Sequence, residues 1–137
     1  MPLVIVVTHS WMSEGINQTV KYIMGEQENL YCISAYTDET MDFMDDVRKI
    51  IFQNNNQNCF ILTDIFGGSV NTKLASFLSE FDNIHLITGV NLPMVIQLLL
   101  TNYDEAEDIV GKTIFEAKKG IIYMNERSQS IDEFDEF

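Results

Sequence analysis

The stretch Val4-Ile5-Val6-Val7-Thr8-His9-Ser10-Trp11 decides how this chain folds. Four consecutive apolar, β-branched residues read as a strand buried on both faces, and strands of that kind belong to parallel sheets covered by helices. The run stops at a histidine with small polar residues on each side, and a helical pattern begins near Ser13. In an open α/β sheet, ligands and chemistry gather beyond the carboxyl ends of the strands. His9 occupies such an end and is one of only 2 histidines in the chain, which makes it the first candidate functional residue.

Downstream of this stretch, strands and helices alternate. Ser13 to Met24 carries Ile16, Val20, Ile23 and Met24 at helical spacing, and Gly25 follows where a helix is expected to end. Leu30 to Tyr36 reads as a second strand. Asp38-Glu39-Thr40 opens a helix through about Gln53, with Met44, Val47, Ile50 and Ile51 as its apolar stripe. Asn54 to Asn58 is a polar loop, and Cys59 to Thr63 a third strand. Ser69 to Phe81 returns to helical spacing through Val70, Leu74, Phe77 and Leu78. Ile84 to Thr88 is a fourth strand, and Pro93 suits the first turn of a helix reaching about Asn102. A last helix spans Tyr103 to Lys119, with Gly111 weakening or kinking it, and Ile121 to Met124 is a short final strand. The expected fold is therefore α/β, a single doubly wound domain with a mainly parallel sheet, right-handed crossovers and helices on both faces. That domain takes residues 1–124, and 125–137 form an acidic tail, mobile or loosely docked.

The composition narrows the classes of function. The 137 residues fit one domain, and no apolar run approaches the roughly 18 residues of a membrane span. The N-terminus lacks the pattern of a signal peptide, so the expected location is cytoplasmic. Cys32 and Cys59 lie among apolar neighbours and read as buried small hydrophobes rather than as a disulfide or a thiolate nucleophile. The absence of a CxxC, a clustered histidine pair, a Walker loop or an acidic triad predicts no metal and no cofactor. A net charge of −13 with 8 basic residues argues against nucleic acid, since phosphate neutralisation needs clustered Lys and Arg.

Three loops at carboxyl ends of predicted strands hold unusual residues: Thr8, His9 and Trp11; Asp64, Gly67, Gly68 and Ser69; Asn91 and Pro93. A nucleophilic imidazole needs one bare nitrogen and a fixed ring, and a carboxylate bonded to the other nitrogen supplies both. Asp64 is placed for that, while Gly67-Gly68-Ser69 leads into a helix and offers N–H groups and a hydroxyl to an anion. Together these suggest phosphoryl transfer through phosphohistidine. Each part also has a plainer reading. His9 alone fits a capping or packing histidine, Asp64 a loop cap, the glycine pair a tight turn, Trp11 half-buried packing, and His85 a core or sheet-edge histidine.

Taken together, Thr8-His9-Ser10-Trp11, Gly25-Glu26-Gln27-Glu28-Asn29, Asp64-Ile65-Phe66-Gly67-Gly68-Ser69 and Gly89-Val90-Asn91-Leu92-Pro93-Met94 resemble the enzyme IIA component of the mannose family of the bacterial phosphoenolpyruvate-dependent sugar phosphotransferase system. The likeness runs over roughly the whole length to Met124. It implies that His9 is phosphorylated by the histidine-containing phosphocarrier protein and donates to enzyme IIB, with Asp64 orienting the ring and Ser69 beside the phosphate. It further implies a homodimer that exchanges a final antiparallel strand, here Ile121 to Met124, and an indirect link to the membrane through the IIC/IID permease. Trp11, Phe66, Asn91 and Pro93 are the expected partner-docking residues. Ser10 stands where the family often has glycine, and Val70 where proline often follows the glycine-glycine-serine. Related domains serve as phosphoryl relays to dihydroxyacetone kinase or sit in transcriptional regulators. A receiver domain would also place an aspartate at Asp64, but it needs an acidic pair where Thr8-His9-Ser10 stands.

Overall fold

The computed structural model describes residues 2–54, 57–102 and 105–127. The opening apolar run becomes β1 (Leu3–His9), and every residue from Leu3 to Thr8 is buried. After it come α1 (Met12–Met24), β2 (Leu30–Ala35), α2 (Phe43–Gln53) and β3 (Cys59–Thr63). Next are α3 (Ser69–Leu74), α4 (Phe77–Glu80), β4 (Ile84–Thr88), α5 (Leu92–Leu100) and α6 (Ala106–Lys119), then a 3-10 turn over Met124–Glu126.

The four strands lie in the order β2-β1-β3-β4, and all three pairings are parallel. Period-2 alternation along β1 feeds two cores. Leu3, Ile5 and Val7 pack with Phe43, Val47 and Ile51 of α2 and with Val70, Leu74 and Phe77 of α3 and α4. Val4 and Val6 face the other way, toward Val20 of α1, Val95 and Leu98 of α5, and Ile109 and Ala117 of α6. The sheet is thus covered on both faces, the doubly wound architecture expected from the sequence. The chain leaves β1 to form β2 on one side, then crosses to form β3 on the other. The order reverses between β1 and β3, and a crevice opens at such a reversal beyond the strands' carboxyl ends. His9 closes β1, and Asp64 follows β3.

β3 and β4 span the residues expected of them. Elsewhere boundaries moved for identifiable reasons. α2 begins at Phe43 because Asp42, not Asp38, is its cap: the Asp42 carboxylate accepts from the Met44 and Asp45 N–H groups at 3.1 and 3.3 Å. The single helix expected over Ser69–Phe81 is split at Ala75 and Ser76 into α3 and α4. There the Ser76 hydroxyl donates to the Lys73 carbonyl at 2.8 Å, competing with the backbone ladder. α6 passes Gly111 unbroken.

Ile121 to Tyr123 form no strand within the single chain, and Ile121 and Tyr123 are exposed. A strand needs a neighbour to satisfy its N–H and C=O groups, and the Ile121 N–H turns back to the Lys118 carbonyl instead. The expected helix start at Tyr103, residues 55 and 56 of the polar loop, and the tail from 128 to 137 with Ile131, Phe134 and Phe137 lie outside the described residues.

Cys32 and Cys59 are free, and burial pushes both thiols up to about 12, which leaves them protonated and inert as nucleophiles. His85, on edge strand β4, sits opposite Phe60 in register and stacks on its ring, with centroids 5.0 Å apart. Desolvation holds its imidazole below the ordinary value of 6.5, with Glu107 opposing in part. The unfolded chain therefore binds this proton before the folded one, and stability drains away as the pH falls from 6.5 to the lower folded value. His85→Phe keeps an aromatic ring there and removes the titration. The difference in urea midpoint between wild type and variant is expected to move against the wild type on passing from neutral to mildly acidic pH; a constant difference would refute this.

Candidate functional site

The β1–α1 connection is tight. The buried Thr8 hydroxyl accepts from the Ser13 N–H at 2.8 Å, so the residue before the histidine anchors the first turn of α1. Ser10 takes a left-handed φ of 55°, which explains why glycine suits this position, and its N–H donates to the Ala35 carbonyl. His9 is thereby pinned at the mouth of the crevice.

Across the reversal, one oxygen of Asp64 receives two bonds from the same residue. Oδ2 accepts from the His9 backbone N–H at 2.9 Å and lies 2.8 Å from ring Nδ1. Oδ1 accepts from the Ile65 N–H at 3.1 Å. Partial burial alone would raise the Asp64 carboxyl, but the His9 backbone N–H, the His9 ring and a local backbone bond outweigh it. The group is held below the ordinary 3.8 and is ionised at neutral pH. An ionised carboxylate accepts only, so Nδ1 carries a proton, and in the neutral ring Nε2 is the nitrogen that presents a lone pair. That nitrogen faces the Ser69 hydroxyl, 3.5 Å away, and the His9 side chain is 38% exposed against 14% for Asp64. The arrangement gives an oriented, accessible imidazole with a bare nitrogen beside a hydroxyl.

Gly67, at φ 81°, turns the chain toward α3, and Ser69 opens that helix. Gly68 serves differently from the N–H donor expected of it. Its N–H is donated to the Ile65 carbonyl at 3.2 Å, and its contribution is space: a Cβ there would meet Ile65 Cγ2 at 2.8 Å and His9 Cε1 at 3.1 Å. The exposed Ile65 side chain can swing aside, whereas the ring can yield only by straining its bond to Asp64. Gly68→Ala is expected to fold normally yet slow chemistry at His9 on the order of tenfold or more, since small misplacements of a reacting group are costly. Circular dichroism together with a rate assay checks this, and an unchanged rate would refute it.

Trp11 and Met12, just past His9 in the chain, and Ile65 and Phe66, just past Asp64, are substantially exposed apolar side chains. Among the described residues Asn91 and Pro93 make no hydrogen bond or ring contact with His9, Asp64 or Ser69. The Asn91 side-chain Oδ1 caps α5 by accepting from the Met94 N–H at 3.0 Å, and its side-chain NH2 donates to the Ala117 carbonyl at 3.0 Å. Pro93 is exposed and packs so close to Gly120 that a Cβ on that glycine would stand 2.8 Å from the ring.

Sequence reasoning missed Tyr36. It follows Ala35, the register partner of His9, and its hydroxyl lies 2.8 Å from Ser69 Oγ. Its ring centroid is 5.6 Å from that of His9. Read as the end of an expected strand, it gave no local sign of this role.

The family model described as PTS system fructose IIA component (EIIA-man) matches residues 3–115. The mannose-specific EIIAB component of the phosphotransferase system from Escherichia coli K12 is 23% identical over 124 residues, which cover 86% of this chain. The chain spans only 38% of that relative's length. The fructose-specific EIIA component from Bacillus subtilis 168 is 26% identical over 98 residues, covering 70% of this chain and 67% of that protein. A crystal structure of a candidate phosphoenolpyruvate-dependent sugar phosphotransferase system permease from Klebsiella pneumoniae superposes with a TM-score of 0.82 at 30% identity. The overlap covers 93% of this chain and 94% of that one. With an oriented histidine at the reversal of the sheet and a family match across most of its length, the chain belongs to the EIIA-man family of phosphotransferase-system IIA components.

Proposed function

We propose that the chain is a phosphoryl carrier, with His9 as the residue that is phosphorylated. The observation that carries this reading is the 2.8 Å pairing of Nδ1 with Asp64, which leaves Nε2 bare, exposed and beside Ser69. The donor is the phosphohistidine of the histidine-containing phosphocarrier protein. Nε2 attacks its phosphorus in line, the donor's P–N bond breaks as the new one forms, and the electron pair returns to the departing imidazole. The His9 proton stays on Nδ1, where Asp64 stabilises the positive character that the ring gains. The Ser69 hydroxyl and the unpaired N–H groups of the first turn after Gly67 and Gly68 receive the phosphoryl oxygens. Enzyme IIB then takes the group by the reverse displacement, for sugar uptake and phosphorylation at a IIC/IID permease. Positioning and electrostatics suffice for such a transfer, and no metal or cofactor enters it.

The apolar rim of Trp11 and Phe66 is the docking surface that both partners share in turn, with Asn91 and Pro93 at its margin. Residues 1–124 make up the carrier domain, working in the cytoplasm, and 125–137 an acidic tail. Among the described residues no helix is long and apolar enough to cross a membrane. Among the described residues β4 pairs only with β3, and the exposed Ile121–Met124 segment supplies a strand to the same edge of a second copy, making a homodimer.

Incubation with labelled phosphoenolpyruvate, enzyme I and the carrier protein tests the central claim. Acid-labile, alkali-stable label on the chain is the expected result, whereas an acid-stable label or none overturns it.

A further inference from the structure

Tyr36 adopts a left-handed φ of 63°, a conformation that costs an aromatic residue energy and persists only where its surroundings enforce it. Those surroundings are identifiable. The ring meets Phe43 edge-on at 5.6 Å and 83°, lies tilted against His9, and has the Lys73 ammonium 5.8 Å from its centroid. So restrained, a ring that is 54% exposed aims its hydroxyl at Ser69 Oγ, 2.8 Å away.

We propose that Tyr36 is a positioning residue for phosphoryl transfer at His9, acting through the Ser69 hydroxyl; this rests on the carrier reading above. The reason is proton counting. Ser69 owns one proton and can send it to only one neighbour. In the neutral ring that attacks phosphorus, Nε2 of His9 has no proton to offer, since the single proton is on Nδ1 facing Asp64. When the Tyr36 O–H donates to Ser69 Oγ, the Ser69 proton is driven toward Nε2 and, once the phosphoryl group is in place, toward its oxygens. Without the phenol, the serine hydroxyl turns freely and loses its fixed direction. A donor chain of this kind also strengthens its terminal bond by polarisation. Tyr36 Oη to Ser69 Oγ to His9 Nε2 is a single line, with steps of 2.8 and 3.5 Å.

Tyr36→Phe removes the phenol oxygen and keeps the ring with its contacts. The expected result is a drop in kcat for phosphoryl transfer of about two- to tenfold, the size of one lost neutral hydrogen bond, with KM for the phosphorylated carrier protein unchanged. The 15N resonance of His9 Nε2 moves in Tyr36→Phe and in Ser69→Ala. The decisive arm is the double variant: with Ser69→Ala already present, Tyr36→Phe has no further effect on either readout. Wild type that takes no label overturns the carrier reading and this proposal with it. Wild type that takes label while Tyr36→Phe leaves kcat and the Nε2 resonance unmoved overturns this proposal alone. A Tyr36→Phe effect of equal size with and without Ser69 does the same, because the phenol would then be acting structurally.

Discussion

Replacing His9 by alanine is expected to remove all acid-labile label from the chain while leaving the fold intact. The fold survives because the ring is a terminal feature of β1 and not part of either core. The backbone N–H of residue 9 still reaches Asp64 Oδ2 at 2.9 Å, and Ile65 still holds Oδ1, so the carboxylate keeps two of its three donors. No other histidine can substitute. His85 sits mid-strand in β4, stacked on Phe60; among the described residues no carboxylate is hydrogen-bonded to its ring, and burial lowers its basicity. Both thiols, Cys59 buried and Cys32 half-buried, are held protonated by a pKa of about 12. Label counted after acid and alkali treatment, beside a circular dichroism spectrum, decides the matter. Acid-labile label that survives the substitution would move the phosphorylated residue elsewhere and sink the mechanism.

Asp64→Asn should be nearly as damaging, although it changes one atom. Three N–H donors converge on the carboxylate, two on Oδ2 and one on Oδ1. An amide has one acceptor and one donor end, so one side must fail. With its oxygen toward His9, the amide NH2 opposes the Ile65 N–H. Turned over, it faces both the His9 backbone N–H and the ring, and the ring can accept from it only by moving its proton to Nε2. That tautomer has no lone pair where the phosphorus must bind. Even in the better orientation a neutral amide cannot stabilise the charge that develops on the ring. The expected loss in transfer rate is on the order of 10² to 10⁴, the range for a misprotonated or unsupported catalytic histidine. Rapid-quench kinetics and the ring 15N shifts would show it; a variant with wild-type rate would mean that the ring needs no carboxylate. Acid acts in the same direction. The Asp64 pKa is depressed in the folded state, so its support is complete above the ordinary 3.8 and is lost as the pH falls through the lower folded value.

The pairing of His9 with Asp64 was legible because each residue ends an apolar strand run, and the alternation of strands and helices already places such ends side by side. β3 and β4 were equally plain, being short apolar runs bounded by polar residues. What escaped was information held in geometry. Asp38 and Asp42 are both capping residues by type, and only the turn between them decides which one faces the helix. The apolar spacing of Val70, Leu74, Phe77 and Leu78 continues across the break at Ser76, so periodicity cannot reveal it. The role of Gly68 as clearance for an imidazole, and that of Tyr36 as a hydroxyl aimed at Ser69, depend on residues 59 and 33 positions away. The final strand expected at Ile121–Met124 requires a neighbour that the described residues of the single chain do not supply.

The reversal of strand order between β1 and β3 also bears on when the molecule becomes competent. During synthesis His9 emerges before Asp64, its partner 55 positions later, and β1 reaches its second neighbour only when β3 is complete. Until then the imidazole is an ordinary flexible side chain, with either tautomer open to it and no hydroxyl at its edge. A chain in which β3 has not yet joined β1 therefore carries His9 without its Asp64 partner. The oriented imidazole exists only once the sheet has closed around it.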